Sequence, residues 1–185
     1  PLKIDLINFA RDEDETINFK VKGEKNNNNL IFNQIVLKKN NDKFYFDNLV
    51  LSKNFHIKNF NKIDIKFTNR DKRKNDISII KKNKNNFIIE SKNFDLSKII
   101  DEILFSDTSN SKLFDNKERI FKINLRKSYI DDDHYILNLS GTFNLKGNNI
   151  YDLSLKSSFP NKDNLSMSIK TNNDKKVTTF YSEQA

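Results

Sequence analysis

The sequence predicts a mainly β chain: an extended, curved antiparallel sheet, either an open groove or an incomplete barrel, with one short amphipathic helix near residues 95–105. Three observations predict it. From Tyr135 to Tyr181 the apolar residues keep almost one parity; short apolar runs divided by Asn, Asp and Lys fill the rest; and one stretch near residue 100 changes to helical spacing.

The first observation is the strongest. Tyr135, Leu137, Leu139, Phe143 and Leu145 alternate with Asn138, Ser140, Thr142 and Asn144, and only Ile136 breaks the polar set. Gly147-Asn148-Asn149 signals a turn, after which Tyr151, Leu153 and Leu155 resume the pattern. Residues 160–164 interrupt it, Leu165, Met167 and Ile169 continue it, and Asn172-Asn173-Asp174 precedes Val177, Thr179 and Tyr181. Successive strand side chains point to opposite faces, so this is a meander with one apolar and one polar face.

Earlier in the chain, Leu2–Leu6 reads as a strand with a bulge or an end near Asn8, and Ile17–Val21 as the next strand. Strand-like runs follow at 30–37, 44–51, 55–60, 63–67, 77–80, 87–89 and 121–125. With only 3 Gly in the chain, Asn and Asp must supply the turn conformations that need positive φ. The helix is carried by Leu96, Ile99, Ile100, Ile103 and Leu104, an i, i+3, i+4, i+7, i+8 series, with Asp95 or Ser97 as its cap. Three turns are marginal alone in water, so the stripe must dock on something apolar. Phe114, with Leu113, is a candidate anchor in the loop that follows. The domain reading is one β-rich segment over 1–185: an N-terminal meander at 1–92, helix and loop at 93–118, and a C-terminal meander at 119–185.

Composition limits the function classes. Hydrophobic residues make up 36% and charged residues 31%, with a mean hydropathy of −0.75. That balance suits a half-wetted sheet better than a thick two-layer core. The net charge of +8 raises nucleic acid as a partner, but the Lys residues are scattered, the one local cluster lying at 70–84. Phe occupies the apolar parity rather than an exposed stacking platform, so no nucleic-acid partner is expected. There is no Cys, and no run is long enough to span a bilayer. The acidic run at 12–15 and the Asp131-Asp132-Asp133-His134 stretch read as solvated turns rather than metal sites, and His56 as a surface residue. No nucleophile elbow, phosphate loop or zinc motif occurs, so the expectation is a protein that is not an enzyme, with no cofactor and no metal. Because the chain opens on Pro1 and its last strand runs toward Ala185, it reads as an excerpt of a longer protein.

Four stretches carry a family resemblance. Phe94-Asp95-Leu96-Ser97 opens the helix; Leu137-Asn138-Leu139-Ser140-Gly141-Thr142-Phe143 and Tyr151-Asp152-Leu153-Ser154-Leu155-Lys156-Ser157 form strands; Leu165-Ser166-Met167-Ser168-Ile169 is the next, before Thr178 to Ala185. Their order and spacing resemble the C-terminal AsmA-like region of proteobacterial proteins, especially the YhdP branch. The end departs from the family in its Glu183-Gln184-Ala185, and the chain is richer in Lys and Asn. The resemblance implies a bridge-like lipid carrier of the bacterial envelope, periplasmic and anchored in the inner membrane through regions outside this segment. Phospholipid acyl chains would then be its partners, with other envelope proteins possible.

On that reading the lipid groove comprises Leu137, Leu139, Phe143, Leu145, Tyr151, Leu153, Leu155, Leu165, Met167 and Ile169, with the Leu96–Leu104 stripe as plug or cover. The same residues could instead form a dry core between two layers, and Leu139→Asp or Leu153→Asp would distinguish the two. The alternatives are a TamB-like scaffold in outer-membrane protein assembly and an adhesive or sugar-binding β-sandwich.

Overall fold

A computed structural model describes residues 2–4, 7–11, 16–26, 28–100, 114–147, 149–172 and 175–183. Strands β1 (Leu2–Ile4) and β2 (Phe9–Arg11) form a separate antiparallel ribbon. One 12-stranded sheet takes in β3 (Asn18–Lys25), β4 (Asn29–Lys39), β5 (Asp42–Ser52), β6 (Ile57–Asn59), β7 (Lys62–Thr68), β8 (Lys74–Lys81), β9 (Asn86–Asp95), β10 (Glu118–Tyr129), β11 (Tyr135–Lys146), β12 (Asn149–Ser158), β13 (Asn164–Asn172) and β14 (Lys175–Ser182). Its order follows the chain, apart from β6, which pairs beside β7 on β5, and it does not close, with β3 at one edge and β14 at the other.

The expected mainly β, open architecture is therefore present, as a single sheet rather than two packed layers. One feature was not legible in the pattern. Strands β9 and β10 run parallel, from Ile120 opposite Asn86 to Tyr129 opposite Asp95. Parallel neighbours require a crossover instead of a tight turn, and residues 96–117 make it. The helix α1, described at 97–100, belongs to this crossover. Ile103, Leu104 and Leu113 lie outside the described residues.

Asn takes several of the left-handed positions, at Asn8 and Asn40 in turns and at Asn48 and Asn138 within β5 and β11. The expected strand at 55–60 shortens to Ile57–Asn59 because Phe55 has φ 59° in a turn closed by its amide on Ser52.

The apolar face holds a ladder of rings in register. Phe87, Phe121 and Phe143 are paired across β9, β10 and β11, with centroids 5.1 and 4.7 Å apart, and Phe60 lies 4.9 Å from Phe87. Phe114 comes down from the crossover to 6.3 Å from Phe121. Farther along, Phe9 covers Phe44 and Phe67 at 4.9 and 5.6 Å, beside buried Phe94. Each such ring contributes roughly 2 kcal/mol on burial. This part of the apolar face is a covered core.

A phase change crosses three strands on one line. The buried residues of β9 pass from Ser91 to Phe94, those of β10 from Leu125 to Ser128, and those of β11 from Leu139 to Ile136. These positions are in register: Leu125 is opposite Ser91 and Leu139, and Ser128 is opposite Phe94 and Ile136. At the line β11 carries an extra residue relative to β12, and Asn138 takes φ 53°. Ile136, which broke the polar set, thus joins Leu125 and Leu139 in the core.

Candidate functional site

At the C-terminal end the covering thins, and the apolar face opens into a cavity of about 310 Å³. Its floor is Leu139 of β11, Leu153 and Leu155 of β12, Leu165 and Met167 of β13, and Phe180 of β14. Leu96, just before α1, and Ile100 within it form the opposing wall, with Ile130, Asp131 and Ile136 beside them. Phe180, 58% exposed, stands at the open margin.

Helix α1 is held over the cavity by its first turn. The Asp95 carboxylate accepts hydrogen bonds from the Ser97 amide (3.0 Å) and hydroxyl (2.7 Å), so Asp95 is the cap. The Leu96 amide donates to the Tyr129 carbonyl (2.9 Å), and the Ile100 amide closes the turn on Leu96. Arg73 and Asn69 bind the other Asp95 oxygen, each at 2.9 Å. Burial alone would raise the Asp95 carboxyl, but the Ser97 and Arg73 bonds outweigh it and hold the group below the usual range. The turn at the rim is fixed by Asp131, whose carboxylate takes the amides of Asp133 and His134 at 2.9 and 2.7 Å. Those two amide bonds keep its carboxyl below the usual range.

Of the groove residues expected from sequence, Leu139, Leu153, Leu155, Leu165 and Met167 come together here, joined by Leu96 and Ile100 of the helix stripe. Ile99 instead packs against the cluster of Phe9, Phe44, Phe67 and Phe94. Phe143 and Leu145 belong to the neighbouring aromatic core, and Ile169 is buried opposite Leu153. Two residues are displaced. Leu137 sits beyond the phase change, opposite Lys127 on the other face, where Lys127 also lies over the Tyr129 and Tyr135 rings. Tyr151 is the extra residue of a bulge: Leu145 pairs with Ile150 while Asn144 pairs with Asp152. Its hydroxyl donates to Glu118, and what burial it has, together with that bond, pushes the phenol up to about 12.

Simple alternation missed Ile130, Ile136 and Phe180. Ile136 was visible as the break in parity, and Phe180 follows from its pairing opposite Met167, a register the sequence did not fix. Leu139 and Leu153 are each only 6% exposed, so an Asp at either place tests the fold rather than the cavity.

Apolar cavities stay dry and accept apolar guests. A methylene seated on this lining gains at most about 0.8 kcal/mol, and less where the open side leaves it in contact with water. Among the described residues no group of three or more His, Cys, Asp or Glu side chains is placed to hold a metal ion, and no helix is long and apolar enough to cross a membrane. No protein-family model, curated protein or solved structure matches the chain.

Proposed function

We propose that this chain is a segment of an envelope protein that carries phospholipid between the inner and outer membranes, with an acyl chain seated between α1 and strands β11–β14. The observation that carries the reading is the cavity itself. Leucines from three strands and a helix stripe from the crossover face one another across about 310 Å³ without filling it. A segment whose only purpose was a dry core would close that space, since a void forfeits dispersion contacts. The resemblance of 94–97, 137–143, 151–157 and 165–169 to AsmA-like proteins supports the same reading and suggests a periplasmic location. The headgroup would remain in solvent near Phe180 while the chain lies against Leu155, Leu165 and Met167.

The test is mass spectrometry of organic extracts from protein washed in high salt, which screens charge-driven adhesion. Wild-type protein retains phospholipid in stoichiometric amount, and Met167→Trp, which fills the half-buried cavity floor without burying a polar group, loses it while keeping its circular dichroism. A folded wild-type chain free of lipid overturns the proposal.

One observation favours a second reading, the assembly scaffold. Both edge strands of the sheet expose apolar side chains, Phe19 at 63% on β3 and Val177 at 60% on β14, beside backbone groups unpaired within the sheet. Such edges can add an extended strand. Crosslinking of an unfolded outer-membrane strand to β3 or β14, with no lipid bound, would support it.

A further inference from the structure

The opposite, polar face carries a second cavity of about 600 Å³ across β7–β11. Lys92 and Arg126 line it from neighbouring parallel strands, directly opposite each other between the pairs Ser91–Leu125 and Asn93–Lys127. Like charges placed opposite one another repel. Both side chains are exposed, and neither has a hydrogen-bond or ion-pair partner among the described residues.

Among the described residues no carboxylate forms an ion pair with either side chain. Asp76 accepts the Ser91 hydroxyl at 3.0 Å and the Lys92 amide at 2.6 Å. Asp64 is paired with Lys62 at 2.7 Å. Glu90, two residues before Lys92 and lining the same cleft, has no side-chain partner among the described residues. That spacing places it about 7 Å along the strand. The lining sets Lys66, Lys92 and Arg126 against Asp64, Asp76 and Glu90, a formal net charge of zero, with Lys92 and Arg126 together at one place and Glu90 beside them.

We propose that this cleft binds a small zwitterion, a phosphate ester that also carries an ammonium group, with the phosphate on Lys92 and Arg126 and the ammonium on Glu90. The Arg126 guanidinium offers a planar fork for two phosphate oxygens and Lys92 a compact charge for the third. A phosphate monoester carries roughly −1.5 to −2 at neutral pH, which the adjacent cations Lys92 and Arg126 answer, while the ammonium answers Glu90. The proposal does not depend on the lipid reading, because it uses the other face of the sheet.

The test is an amide NMR titration of the chain at constant ionic strength with O-phosphoethanolamine and, separately, inorganic phosphate. Saturable shifts are expected at residues 90–92 and 124–126, with O-phosphoethanolamine binding the tighter. Arg126→Gln should weaken both at least tenfold, whereas Glu90→Gln should erase the preference for O-phosphoethanolamine and leave phosphate unchanged. Both residues are exposed, and the same spectra report that the variants fold. Shifts spread over the Lys-rich surface, or equal affinities before and after Glu90→Gln, overturn the proposal. A parallel titration with short-chain phosphatidylethanolamine identifies the source: shifts at 90–92 with it point to a lipid headgroup, and shifts with the free ester alone to a soluble ligand. The amide of Met167 serves as an internal reference for the acyl cavity, so the two proposals fail separately.

Discussion

The Arg73 guanidinium lies 2.9 Å from the Asp95 carboxylate and 4.5 Å from the centre of the Tyr129 ring, so that one cation locks the end of β9, the end of β10 and the start of α1 together. Side-chain exposures of 12% and 3% make this a buried pair, whose partners are costly to remove singly. Asp95→Asn is expected to destabilise by about 3 kcal/mol and to release α1 from the cavity. Because the folded carboxyl titrates below its ordinary value of roughly 3.9, its contribution is complete above about pH 4 and is lost as pH falls through the folded value. Urea midpoints measured from pH 7 down to pH 2 should fall more steeply in wild type than in Asp95→Asn. Parallel curves would show that the pair is not coupled to folding.

Arg119 is buried in the strand that carries the aromatic ladder, yet its donors are satisfied. It reaches the Asp115 carboxylate at 2.6 Å and the carbonyls of Asp115, Lys117, Ile57 and Lys58 at 3.1 to 3.3 Å, with Phe114 against its plane at 4.8 Å. The side chain thus fastens β6 and the end of the crossover to the sheet. Arg119→Lys keeps the charge but cannot reproduce the fork. A loss of about 2 to 4 kcal/mol is expected in thermal denaturation, and an unchanged midpoint would refute this role.

Gly141 has φ 152°, and a Cβ there would fall 2.0 Å from the Ser154 carbonyl oxygen. Strand β12 could not keep its pairing, and β12 carries Leu153 and Leu155 of the cavity floor. Gly141→Ala should cost about 2 to 4 kcal/mol and, in the same preparations, reduce retained lipid. Native-like amide exchange in β12 of the variant would contradict it.

Ser128 is 0% exposed, and its hydroxyl has no hydrogen-bond partner among the described residues. It faces Phe94 and Ile136 across the two neighbouring strands. Replacing an unsatisfied hydroxyl with Ala removes a desolvation penalty at little cost in volume, so Ser128→Ala is expected to raise stability by about 1 kcal/mol. A lower urea midpoint would mean that the hydroxyl is satisfied in solution.

Much of this architecture could be read from parity. The runs around Leu153 and Leu165, the turn after Lys146, and the apolar stripe of Leu96 and Ile100 all follow from local spacing, which is what strand and helix geometry impose on a sequence. Leu137 and Tyr151 escaped because a bulge inverts facing without changing composition: each sits on the expected parity, and the backbone turns it away. The parallel pairing of β9 with β10 escaped for another reason. Which way a strand enters a sheet depends on where the crossover lands, and the aromatic rings at Phe87 and Phe121 suit either direction. The opposition of Lys92 and Arg126 depends on that same pairing, so no spacing along the chain could have revealed it.

The aligned change of phase at Ser91, Leu125 and Leu139 works like a rule of grammar shared by three sentences. Each strand is read in one frame before the line and in the other after it, and the three must switch at the same place. Deleting one residue at Asn138 would leave β11 out of step with its neighbours on one side, setting Tyr135 at the core position opposite Ser128 that Ile136 now holds. Drift in this part of the chain is therefore constrained jointly: a strand can lose or gain a residue there only if the strands beside it do so too.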